Sequence, residues 1–232
     1  MLVYGHSAGG LVVSLWLNRL RGRAWNAQEG ISGSTAVSGL ILNSPWLDLQ
    51  GHAILRTPPT SAALQALGRF RKRTVVRRPA DGGYGTTLHR DYHGDFDYDL
   101  TWKPVGGFPV TFGWINAIRR GHVKLHRGLD VGVPNLILRS DRSVREVGDA
   151  EAIQRGDAVL DVAQIARWAG CIGNRTTIVP ITDAKHDVFL SVREPRDQAY
   201  AELDRWLDWY VTDHLADSPA TPTQSDRDDG HD

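Results

Sequence analysis

Five residues near the start of the chain, Gly5-His6-Ser7-Ala8-Gly9, restrict its folding more than any other feature. They stand between a short apolar run, Leu2-Val3-Tyr4, and a segment of helical spacing from Ala8 to about Leu20, where Leu11, Val12 and Leu15 share a face. Glycine, any residue, serine, any residue, glycine at a strand-to-helix junction is the pattern of a very sharp turn. Such a turn strains the serine backbone and lifts the hydroxyl above a sheet, at a helix N-terminus that favours negative charge. On this reading both flanking glycines are needed, because a Cβ would collide with the neighbouring strand and helix. A serine that merely caps the helix is the plainer alternative, but it leaves the second glycine unexplained.

The rest of the chain alternates strand and helix signals. Apolar or β-branched runs at 37–42, 134–138 and 176–181 read as buried strands. Residues 158–169 have helical spacing through Val162, Ile165 and Trp168. Pro195 opens a long helix that puts Tyr200, Leu203, Leu207, Tyr210 and Val211 on one face. The alternation predicts an α/β fold, a mostly parallel sheet with helices on both faces. Residues 49–130 break the pattern with paired prolines, a basic run, a Gly82-Gly83 turn and the acidic-aromatic string 91–98. They read as an inserted, partly helical excursion, with helical pieces around 61–72 and 110–120 and no strong strand. The core is thus expected over 1–48 and 131–215, the insertion over 49–130, and a disordered polar tail over 216–232.

Composition excludes several functions. Lys plus Arg equals Asp plus Glu, 27 against 27, which argues against a nucleic-acid binder held by phosphate contacts. The local basic stretch 69–78 reads as a solvated face. A single cysteine, Cys171, rules out an internal disulfide and a cysteine-based zinc site, and reads as a small packed side chain. His122 and His126 have the i, i+4 spacing of a metal pair but lack an evident third ligand, so no metal and no cofactor is expected. No stretch approaches the roughly eighteen apolar residues of a membrane span. No signal peptide is visible, and the default compartment is the cytoplasm.

A serine nucleophile needs a base, and the base needs an orienting acid. Of nine histidines, only His186 follows the last strand, in Thr182-Asp183-Ala184-Lys185-His186-Asp187. A loop at the carboxyl end of a strand is where a base meets a serine raised above the sheet. For the acid, Asp141, Asp149 and Asp157 follow the third strand. Asp157 is preferred, because a turn carboxylate just ahead of a helix is rigidly aimed. Asp141, directly at the strand end, is the second candidate, and Asp48 and Asp161 remain open. The Ala8 amide would supply one donor to an oxyanion hole.

At these residues the chain resembles the α/β-hydrolase superfamily, and within it the monoglyceride lipases, lysophospholipases and serine aminopeptidase-like hydrolases. The resemblance covers about 1–215 and rests on Tyr4-Gly5-His6-Ser7-Ala8-Gly9-Gly10, Leu40-Ile41-Leu42-Asn43-Ser44-Pro45, Asp157-Ala158-Val159-Leu160-Asp161 and Lys185-His186-Asp187. It implies a Ser7, Asp157, His186 triad acting on small-molecule acyl esters. It also implies that 49–130 is a cap, in which Trp102, Phe108, Phe112 and Trp114 line an acyl pocket or simply pack. The family places its acid sooner after the strand, so 142–156 reads as an insertion.

The family's fold has four strands before the elbow, and the loop after the third gives the second oxyanion donor. This chain starts inside the elbow strand, so the C-terminal half of the sheet is expected, with an N-terminal strand exposed to self-association. A catalytically weak or inactive truncated product, or an interaction module of the same fold, is the alternative to an active hydrolase.

Overall fold

The computed structural model describes residues 1–27, 37–49, 66, 68–77, 83–145, 148–210 and 212. Four parallel strands form the main sheet: β1 (Leu2–His6), β2 (Gly39–Asn43), β5 (Asn135–Ser140) and β6 (Thr176–Ile181), in the order β1-β2-β5-β6. Leu2 pairs with Gly39, Leu40 with Asn135 and Asn135 with Thr176, so all four strands begin level and their carboxyl ends meet on one side. β2 is buried at every position. Its alternation separates the two cores. Leu40 and Leu42 face one layer with Ile137, and Ile41 faces the other with Leu136 and Leu138.

Helix α1 (Ala8–Ala27) covers the first face through Leu11 and Leu17, joined by Ile118 and Leu125 of α2 (Phe112–Leu125) and Ile165 of α4 (Val162–Trp168). Helix α5 (Arg193–Tyr210) covers the second through Ala199, Trp206 and Tyr210. Two side chains depart from the expected faces. Val12 points to solvent, because Ser14, bonded to the Gly10 carbonyl at 2.7 Å, takes the buried position beside Leu11 and Leu17. Tyr200 is exposed and instead rests its ring on Phe189.

The excursion holds more strand than its sequence suggested. β3 (Val75–Arg77) and β4 (Val110–Thr111) form a small antiparallel ribbon, too short and too exposed to carry a hydrophobic signature. Thr111 then caps α2, its Oγ accepting from the Trp114 amide at 3.2 Å. α2 packs directly on α1. A Cβ on Gly121 would stand 3.0 Å from Leu11 and 3.1 Å from Leu15. Half of 61–72, including Gln65 and Leu67, and all of the 216–232 tail lie outside the described residues.

The segment after β5 contains a short helix that sequence spacing missed, α3 (Ala150–Gln154), capped by Asp149. The chain then returns, and Asp157 pairs with the strand-like stretch at Ser143. The Asp157 amide donates to the Arg142 carbonyl at 3.0 Å, and its carbonyl accepts from the Val144 amide at 2.8 Å. α4 starts later than expected, at Val162, because Asp161 is its cap and 158–160 wrap around Asp157.

Candidate active site

Ser7 sits between β1 and α1 with φ of 53°, a left-handed conformation that few non-glycine residues adopt. Three main-chain bonds hold it there. Its amide donates to the Asn43 carbonyl, and its own carbonyl accepts from the amides of Gly10 and Trp46, each at 3.0 Å. The glycines divide the steric work differently from expectation. A Cβ on Gly5 would lie 2.6 Å from Val13 Cγ2 and 2.9 Å from Gly10 Cα. A Cβ on Gly9 would meet nothing within 4 Å, whereas one on Gly10 would strike Pro45 at 2.7 Å. The strand–helix contact therefore needs Gly5 and Gly10, and the collision expected at Gly9 does not arise.

His186 lies in the loop after β6. Its Nδ1 is 2.9 Å from Asp157 Oδ2. A carboxylate accepts, so Nδ1 carries the hydrogen of this bond and Nε2 lies across the ring. Asp157 Oδ1 accepts from the amides of Val159 at 2.8 Å and Leu160 at 2.7 Å, which fixes the carboxylate in a fully buried turn. The other acidic candidates do different work. Asp141 accepts from the Asp183 amide at 3.1 Å. Asp149 and Asp161 cap helices. Asp48 accepts from the Leu49 amide and from Trp168 Nε1.

The loop that carries His186 meets the turn that carries Ser7 through His6. The His6 ring stands 4.8 Å from the His186 ring. Among the described residues no hydrogen bond joins Ser7 Oγ to His186; such contacts commonly tighten only around a substrate. Burial, with the neighbouring His186 adding to it, pulls His6 down to about 4, against the pull of Asp187 and the Asn43 carbonyl. His6 Nδ1 donates to that carbonyl at 3.0 Å, and Nε2 faces Asp187 Oδ2 at 3.8 Å.

Sequence reasoning missed a group of polar residues around this loop. Asn43 Nδ2 donates to Asp187 Oδ1 at 2.6 Å and to Tyr4 Oη at 2.8 Å. The Asp187 amide donates to Tyr84 Oη at 3.1 Å, and the Tyr84 ring meets His186 edge-on. Burial, then the Asp187 charge, pushes the Tyr84 phenol well above its ordinary value, so it stays protonated. Buried Lys185 donates to the Thr87 carbonyl at 2.7 Å and pins the excursion to the loop that carries His186. Burial pulls its ammonium down to about 8. One local signal was available: Asn43 ends an otherwise apolar strand.

The excursion's candidates split. Trp114 rests against Trp46, whose amide holds the Ser7 carbonyl, with ring centroids 5.6 Å apart. Phe112 is half-buried. Trp102 and Phe108 are 83% and 65% exposed. His122 and His126 each donate Nε2–H to a main-chain carbonyl, of Trp46 and Leu47, both at 2.9 Å. They moor the loop after β2. Among the described residues no three side chains are grouped to hold a metal ion, and no helix is long and apolar enough to cross a membrane.

No protein-family model matches the sequence, and no curated protein matches it. Solved structures do. A soluble variant of monoglyceride lipase from Saccharomyces cerevisiae, in complex with a substrate analog, superposes with a TM-score of 0.54 at 18% identity, over 89% of this chain and 61% of that one. A monoacylglycerol lipase from Paleococcus ferrophilus gives 0.54 at 17% identity, over 90% of this chain and 68% of its own. The chain thus has the α/β-hydrolase fold, and it spans about three-fifths to two-thirds of the length of these two enzymes.

Proposed function

We propose that the chain carries the catalytic centre of a serine hydrolase of carboxylic esters, with Ser7 as nucleophile, His186 as general base and Asp157 as its orienting acid. The observation that carries this reading is the buried His186–Asp157 pair at the carboxyl side of the sheet where Ser7 is held at φ of 53°. In that arrangement Ser7 Oγ attacks the acyl carbon while His186 Nε2 takes the hydroxyl proton. The carbonyl oxygen becomes an oxyanion facing the amide of Ala8 at the start of α1. Collapse breaks the ester C–O bond, and His186 returns the proton to the leaving alcohol. Water then attacks the acyl-enzyme, gives its proton to His186, and the carboxylic acid leaves as Ser7 recovers its hydrogen. Every step is proton transfer and acyl transfer, so no cofactor enters.

The substrate class in this reading is acylglycerol-like or lysophospholipid-like esters, of which the two lipases named for monoglycerides support the acylglycerol member. Labelling with a fluorophosphonate probe tests the reading. Wild type should label, Ser7→Ala should not, and p-nitrophenyl esters of graded chain length should rank the acyl preference. A wild-type chain that neither labels at Ser7 nor hydrolyses any of these esters would remove it.

A further inference from the structure

One residue bonds both to Ser7 and to the two residues that follow His186. The Asn43 carbonyl, at the end of β2, accepts from the Ser7 amide and from His6 Nδ1, each at 3.0 Å. Its carboxamide reaches the other way. Nδ2 donates to Asp187 Oδ1 at 2.6 Å, and Oδ1 accepts from the Val188 amide at 3.2 Å. The remaining Nδ2 hydrogen goes to Tyr4 Oη at 2.8 Å. Asn43 is completely buried, and both donors and the acceptor of its side chain are used.

Asp157 holds the His186 ring through Nδ1 but makes no bond to the backbone that carries the ring. That backbone is held by other groups. Asp187 Oδ1 also accepts from the Phe189 amide at 3.2 Å, which turns the chain into a single 3-10 turn at Val188–Leu190. The Lys185 amide donates to Ser191 Oγ at 2.9 Å and closes the loop from its far side. Of these bonds, those of Asn43 alone run to the strand that also holds Ser7.

We propose that Asn43 and Asp187 are positioning residues that set the distance between Ser7 and His186, independently of Asp157. This rests on the reading of His186 as the base. The residue types fit the task narrowly. Aspartate at 43 would press two carboxylates together. Leucine there would fill the same space but take away the Asp187 carboxylate's only donor from β2 among the described residues and leave the Val188 amide unpaired in a buried place.

The test compares wild type with Asn43→Leu, Asn43→Asp, Asp187→Asn, Asp187→Ala and the swapped pair N43D/D187N, using ester turnover and amide exchange at Val188. A small displacement of a catalytic group costs on the order of a hundredfold. The single changes at Asn43 should lower kcat by about ten- to a hundredfold and leave KM within about twofold. The swapped pair should recover most of the loss, because the new carboxamide at 187 donates to the new carboxylate at 43. Asp187→Asn keeps an oxygen for both donors, so it reads the brace if the changes at Asn43 unfold the chain, and it should lose less kcat than Asp187→Ala. Turnover in Asn43→Leu equal to wild type, or a swapped pair no better than N43D alone, would overturn the proposal. Val188 exchange needs no turnover. It should quicken in Asn43→Leu and slow again in the swapped pair, and unchanged exchange counts against the brace whether or not the chain proves to be a hydrolase.

Discussion

Asp157 Oδ2 and His186 Nδ1 are 2.9 Å apart, and neither side chain reaches solvent, at 0% and 3% exposure. Because both Asp157 oxygens accept only N–H hydrogens, the imidazole has one available tautomer. Asp157→Asn replaces an acceptor by a group that can donate, and the ring would turn its basic nitrogen inward. Turnover should fall about ten-thousandfold while binding changes little. Asp141→Asn, at a carboxylate bonded to the Asp183 amide and Arg142, should stay within a fewfold of wild type. Steady-state kinetics on the pair decide the assignment. A collapse in Asp141→Asn with a mild Asp157→Asn would reverse it.

Ser7 and His186 should fail together. Ser7→Ala and His186→Ala each remove the same step, so the double change should cost little more than either alone. Losses that multiply would mean that the two residues serve separate steps.

The glycines give a prediction about stability alone. Gly5→Ala and Gly10→Ala each force a Cβ to within 3 Å of fixed neighbours, Val13 and the Gly10 backbone in one case and Pro45 in the other. Each should lose about 1–3 kcal/mol of stability. Gly9→Ala meets open space within a helix and should be neutral or gain up to about 1 kcal/mol. Thermal melts of the three variants check the order, and a Gly9→Ala melt as low as the other two would contradict the steric account.

The core and the site differ in how far sequence reveals them. β2 and β5 lie in a parallel sheet covered on both faces, so Leu40-Ile41-Leu42 and Leu136-Ile137-Leu138 must be apolar at every position, and the runs show directly. Ser7 was legible because its turn is local. His186 followed from its place after the last strand. Asn43 and Asp187 are 144 residues apart, and neither carries a local pattern that names the other. Asp157 stood first among the acids in the sequence because it sits in a turn ahead of a helix, but the route through α3 that returns to pair at Ser143 carried no pattern of its own. Helix α3 itself, five residues long, is too short to establish a period.

Buried His122 and half-buried His6 should make stability depend on pH. Burial pulls both His6 and His122 down to about 4, from an ordinary value of 6.5. His122 already uses Nε2 on the Trp46 carbonyl, and its Nδ1 is buried without a partner, so a second proton there finds no acceptor. The facing groups of His6 are His186, Asp187 and Lys103. Between pH 6.5 and 4 the unfolded chain binds more protons than the folded one. Stability is therefore full above the unfolded value and is lost as pH falls through this window. By pH 5 each histidine should cost on the order of 1–2 kcal/mol. Urea melts at pH 7 and pH 5 measure the difference, and His122→Asn should reduce it. Equal midpoints at the two pH values would show that these rings titrate normally.

β1 pairs only with β2 among the described residues, so its other side presents main-chain groups without ladder partners. Leu2 and Tyr4 are 40% and 50% exposed, and Val12 and Trp16, one turn apart on α1, are exposed as well. An apolar edge of this kind recruits another strand, because each pairing satisfies backbone groups and covers side chains together. We expect the 232-residue chain to associate with itself through β1, with an apparent mass that rises with concentration. Leu2→Lys places a charge that a paired strand would have to bury, so it should shift the chain toward monomer without altering the His186–Asp157 pair. Light scattering across a dilution series, run on both chains, reads the effect. A wild-type chain that stays monomeric at every concentration would mean that this edge is already protected.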